Sequence, residues 1–142
     1  MRKIAVSAPF LACGVWMAAL GLYFMLLRPA LLPEDLRYFG KTLAEVQGFA
    51  PELSAWLRRV FTVMGGFMSA AGILTVLAAM HAPRSRAAVA ALALAGASSV
   101  VLMSAVNFAI DSDFKWLLLA PALLWAAGLA ALLLDRRSNE RI

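Results

Sequence analysis

The chain has 142 residues, 63% of them hydrophobic and 15% charged, with a mean hydropathy of +0.83. A soluble domain is nearer half apolar and a quarter charged, so these values exclude an ordinary water-soluble fold and point to a membrane protein. The net charge is +5, but the basic residues stand at the ends of apolar runs, a pattern that argues for membrane orientation and against nucleic-acid binding.

The single cysteine, Cys13, leaves no intrachain disulfide and no CxxC redox centre. The single histidine, His81, has no Cys or second His to share a zinc ion. We therefore expect neither a metal nor a cofactor.

The first apolar run covers residues 4–27 and is interrupted by Pro9. Within it, "FLACG" resembles a lipoprotein cleavage site before Cys13. The run nevertheless continues to Leu27, well beyond the apolar core of about 7–15 residues in a cleaved signal. The expectation is a membrane span with Cys13 as a small core residue.

Residues 28–59 are too long for a simple turn and carry helix signals. In "LLPEDLRYFG", Pro33 suits a first helical position and Glu34 and Asp35 suit the first turn, with Gly40 as a terminator. Leu32, Leu36 and Phe39 share one face. "TLAE" at Thr42 to Glu45 has the form of a capping box. A third helix, "PELSAWLRRVF", leads into the next span. The segment reads as two short amphipathic helices forming a cap, which either packs on the bundle or serves as a docking face or lid.

The second, third and fourth spans cover residues 60–80, 87–110 and 116–134, and none of the four contains Asp, Glu, Lys or Arg. Each is about the 20 residues that a helix needs to cross a bilayer, and backbone groups in hydrocarbon must pair internally. Span two offers a small-residue face in Gly65, Ser69 and Gly72, and a neighbouring pair in Gly66 and Ala70. Span three offers Ala88, Ala91, Ala95 and Ser98 or Ser99. Such faces let helices approach closely. The short link predicts that these two spans pair, with a homodimer as the alternative. Pro121 removes a hydrogen bond to the Leu117 carbonyl and predicts a kink in span four.

Ser104, Asn107 and Asp111 recur on one face of span three, a stripe expected to face protein. Asp113 and Ser112 can cap span four, and Lys115 and Trp116 read as interfacial anchors. Asp111 lies at a helix C-terminus, where the dipole disfavours an anion. It is expected to pair with Arg28 or Arg58, Arg59 being a further candidate at that depth. The candidate polar site is thus Asp111, Asn107, Ser104, Arg28, Arg58 and Arg59. No catalytic residues are expected: no HExxH occurs, and Ser98 and Ser99 have no base at their depth.

At "LLPEDLRYFG" and "VNFAIDSDFKWLLL" the chain resembles small four-helix bacterial membrane proteins of unknown function. The resemblance implies a bacterial inner-membrane location and carries no activity with it.

The expected architecture is all-α, one integral membrane domain over residues 1–142: a four-helix bundle with an amphipathic cap between spans one and two. Its expected surroundings are the lipid bilayer and either further copies of itself or another membrane protein. The expected role is structural, accessory or partner-binding. The alternative is an oligomeric transporter or channel with Ser104, Asn107 and Asp111 lining a vestibule. Arg2, Lys3, Arg84, Arg86, Arg136, Arg137 and Arg141 place both termini in the cytoplasm. A Ser138→Cys variant in intact cells is then expected to resist an impermeant thiol reagent; labelling from outside would reverse the orientation.

Overall fold

The computed structural model describes residues 2–82 and 85–139. Arg84, Glu140 and Arg141, on which part of the orientation argument rests, lie outside them. The architecture is all-α. Helix α1 spans Arg2–Leu26, α2 Pro33–Phe39, α3 Leu43–Phe49 and α4 Leu53–His81. Helix α5, Arg86–Gly96, passes through a π-helical turn, Ala97–Val101, into α6, Leu102–Ala109, and α7 spans Lys115–Asn139. Four segments are long and apolar enough to cross a membrane: Ser7–Leu26, Leu53–His81, Arg86–Ala109 and Lys115–Asp135. They alternate in direction, so the cap and the α6–α7 turn share one end of the bundle. The α4–α5 link lies at the other.

The pairing of small faces differs from the expectation. Gly65, Ser69 and Gly72 of α4 pack against α1, not against span three. The partners are Gly14, Ala18 and Gly21, a face repeating every three or four residues along α1. A Cβ placed on Gly65 would fall 2.5 Å from the Gly21 carbonyl oxygen, and one on Gly72 would fall 2.5 Å from that of Gly14. The two backbones are therefore in direct contact, and Ser69 Oγ donates to the Ala18 carbonyl across the seam at 3.3 Å. Ala91 and Ala95 of α5 remain exposed. The α1 face wins because its glycines oppose glycines, which permits a closer approach than alanine against glycine.

Near the α4–α5 link, Phe10, Ala79, Ala82, Leu92 and Leu132 form one buried cluster drawn from all four spans. Nearer the cap, the cluster is Cys13, Met17, Val100 and Ala122, from α1, the π turn and α7. Cys13 is thus a small core residue, as expected. In the π turn the Leu102 N–H reaches back five residues to the Ala97 carbonyl. Just before it, the Trp125 indole lies on Gly96, where no side chain would fit. Trp125 Nε1 donates to the Leu92 carbonyl at 2.8 Å, which satisfies the indole in an apolar setting. Pro121 lies inside α7 and is fully buried.

Both cap helices form where expected. Gly40 ends α2 in a left-handed conformation, φ 64°, which glycine adopts without a steric penalty. Thr42 Oγ1 accepts from the Glu45 N–H at 3.2 Å, while Glu45 accepts from the Thr42 N–H at 2.7 Å, completing the capping box. The Thr42 backbone and hydroxyl hold the Glu45 carboxyl below its ordinary pKa.

Gly72→Val is expected to destabilise the protein by about 1–3 kcal/mol or more, because the added atoms meet backbone that has no rotamer to change. Gly66→Ala should be tolerated, since a Cβ there meets nothing within 4 Å. Thermal unfolding in mild detergent compares the two; equal effects would mean that the α1–α4 contact is looser than described.

Candidate functional site

The predicted polar residues do not converge. Ser104 is buried, and its hydroxyl has no hydrogen-bond partner among the described residues. Asn107 is half-buried and donates its amide to the Met103 carbonyl of its own helix at 2.9 Å. Asp111 is exposed. Arg58 and Arg59 are exposed, and neither has an ion-pair partner among the described residues.

The expected pairing of Asp111 with Arg28 or Arg58 is overturned. Asp111 pairs with Lys115, four residues on, across the turn at the first residue of α7. That hydrogen bond first, and then the Lys115 charge, hold the Asp111 carboxyl below its ordinary pKa. The physical reason lies in the backbone. Asp111 has φ 53°, the only positive φ at a non-glycine residue among those described. The Ser112 N–H bonds the Asn107 carbonyl at 2.9 Å and the Asp111 N–H bonds that of Phe108 at 3.2 Å. This is a Schellman ending, with aspartate in the position usually held by glycine. The last carbonyls of α6 are satisfied by these bonds, which weakens the dipole argument for a distant cation.

Arg28 is instead enclosed where α1, α2 and α4 meet. Its side chain is only 8% exposed. The guanidinium carbon lies 3.6 Å from the Phe61 ring centroid and 5.2 Å from that of Phe24. It donates to the Pro29 carbonyl at 2.9 Å and lies 3.5 Å from the Asp35 carboxylate. Asp35 also accepts from the Leu32 N–H at 2.8 Å, so the same carboxylate starts α2 and tethers it to α1. The aromatic faces replace part of the hydration that a buried cation loses.

The site that the fold does build joins α2 to the α6–α7 turn. One oxygen of Glu34 accepts from Ser112 Oγ at 2.9 Å and from the Asp113 N–H at 2.8 Å. Ser112 Oγ in turn accepts from the Phe114 N–H at 3.1 Å. Arg37 meets Asp113 at 2.5 Å, and this hydrogen bond leads the causes that raise the Arg37 pKa further above its ordinary value. Contrary to the expectation, Asp113 therefore does not cap α7, although Ser112 does; Glu34 accepts from the Asp113 N–H and Ser112 Oγ from the Phe114 N–H at that helix entry, and the Glu34 carboxylate suits its dipole. Beside this latch lies a cleft of about 320 Å³, lined by residues including Glu34, Arg37, Tyr38, Ile110 and Asp111. Its lining includes neither Asn107 nor Ser104.

The sequence offered Glu34 only as a first-turn carboxylate. Its partners are more than seventy residues away, and no local spacing encodes that contact. Among the described residues no three His, Cys, Asp or Glu side chains come together as metal ligands. The charged groups here hold elements together, with each carboxylate oriented by a donor. No family model matches the chain, and neither a curated protein nor a solved structure is significantly similar to it.

Glu34→Ala removes charge-assisted hydrogen bonds and strands the buried Ser112 hydroxyl, for an expected loss of about 1.5–3 kcal/mol. Asp111→Gly should leave the thermal midpoint unchanged or raise it, because glycine adopts the left-handed conformation freely. A clear fall for Asp111→Gly would show that its carboxylate matters more than its backbone.

Proposed function

We propose that the protein is a non-enzymatic accessory component of the bacterial cytoplasmic membrane that binds a partner through its cap, with both termini in the cytoplasm and the cap on the outer side. One observation carries this reading: α2 is tied to the bundle by its charged side chains, yet no residue of α2 or α3 is buried. Arg28, Glu34 and Arg37 hold α2 to both α1 and the α6–α7 turn. Beyond these ties, Tyr38, Phe39 and Leu43 remain exposed, and Phe49 is 93% exposed. A cap that served only to pack on the bundle would turn these residues inward. A held apolar surface at the membrane boundary suits a second protein, either another copy of this chain or a different membrane protein.

The transport reading has less support. Asn107 spends its amide on its own helix, Ser104 is buried, and the nearby cleft has neither in its lining.

A photo-crosslinking residue at Phe49 or Leu43 should give a discrete protein adduct in cells, whereas one at Val15, on the exposed face of α1, should not. Glu34→Ala should weaken the cap adduct. An absence of cap adducts would remove the partner-binding reading. In liposomes, specific solute flux abolished by Asn107→Leu would replace it with transport.

A further inference from the structure

The bundle is closed near the α4–α5 link and open towards the cap. All four spans share the link-side core. The cap-side core contains no residue of α4, which there relies on its glycine contact with α1. Where α4 and the third span part, a groove of about 420 Å³ opens. Met17 lies in its lining, with Val60, Val63, Met64, Phe67, Met68 and Ala71 on α4 and Ser99 of the π turn opposite. The Ser99 hydroxyl already donates to the Ala95 carbonyl at 2.5 Å. The groove therefore asks for an apolar occupant.

Its length separates the candidate occupants. Val60 to Ala71 covers roughly 16 Å at the helical rise. That is about half the roughly 30 Å hydrocarbon core. A partner helix would run the full thickness, but this groove stops near half depth, where the helices converge on the shared core. An acyl chain belongs to one leaflet and matches that length. Trp56 and Arg59 precede Val60 and Val63 by four residues, so they lie on the same face, one turn nearer the cap. Arg58 is adjacent. All three are exposed, and both arginines lack a carboxylate partner among the described residues. Arg28 and Arg37, at the same end, each have one. Unpaired guanidinium groups above an apolar slot complement a phosphodiester on a hydrocarbon chain, and an exposed Trp marks the headgroup level.

We propose that this groove binds one anionic phospholipid of the cap-side leaflet. One acyl chain lies between α4 and the π turn, and the phosphate sits at Arg58 and Arg59. The surface is separate from the exposed apolar face of the cap, so the two readings stand or fall apart.

The test uses the full chain in mild detergent, exchanged against phosphatidylglycerol or phosphatidylcholine with identical acyl chains. Native mass spectrometry then counts retained lipid. One phosphatidylglycerol per chain is expected, in preference to phosphatidylcholine. Combining Arg58→Gln with Arg59→Gln should weaken retention roughly thirtyfold, the effect of two cationic contacts. Val63→Trp, on an exposed groove position, should displace the lipid. Equal retention of the two lipids, or retention unaffected by the arginine changes, would overturn the proposal. So would a Val63→Trp variant that keeps its lipid but loses an oligomer seen in the wild type, because the groove would then belong to a second copy. Should Val63→Trp fail to fold, the exposed arginine changes decide the matter.

Discussion

Gly14 and Gly21 of α1 lie against Gly72 and Gly65 of α4, so that backbone touches backbone. In hydrocarbon, helices gain little by hiding apolar surface from one another, and association rests on close van der Waals contact. The seam also fixes the two ends between which the cap is strung, because residues 27–52 must leave α1 and enter α4 within that narrow spacing. It commits one face of α4 to α1 along most of its length. The face towards α6 is left without a helical partner at the cap end, and the groove follows from that commitment.

The cap uses electrostatics in two ways. Exposed pairs such as Arg37–Asp113 and Lys41–Glu45 are screened and entropically costly, and they set geometry more than stability. Arg28 differs because aromatic rings and a carboxylate enclose it. Loss of Asp35 would leave a buried cation, which is far more damaging than the loss of an exposed partner. Glu34 adds direction: its oxygen accepts from the Ser112 hydroxyl and the Asp113 N–H at the entry of α7, so α2 docks there in one orientation.

The four spans were legible because a bilayer tolerates few alternatives to a long apolar helix. The Thr42–Glu45 capping box and the Gly40 stop were legible because their chemistry is local. The choice of partner for Gly65 and Gly72 was not. Gly14 and Gly21 were visible on α1, but the alanines of α5 and the short link offered a competing answer. Only the depth of backbone approach separates them. Asp111 was misjudged for a related reason. Sequence position placed it at a helix end, whereas its left-handed backbone, on which the outcome turned, depends on how α6 hands over to α7. Glu34 was legible as a first-turn carboxylate but its partners were not, because the contact joins α2 to a turn more than seventy residues away. The lipid-binding role proposed for Arg58 and Arg59 rests on their exposure next to the groove and not on a pairing with Asp111.

The π turn at Ala97–Val101 carries one residue more than an α-helical path of the same span would need. Every residue after it is therefore rotated by about 100° from where an unbroken helix would place it. Ser104, Asn107 and the start of the α6–α7 turn take their facing from this one extra residue. The third span is thus two short helices, α5 and α6, joined by a register break. A single-residue deletion within the break would swing the latch-bearing half while Gly96 and Leu92 kept their fit to Trp125. The length of the third span, and not only its composition, is a determinant of which surface the cap is tied to.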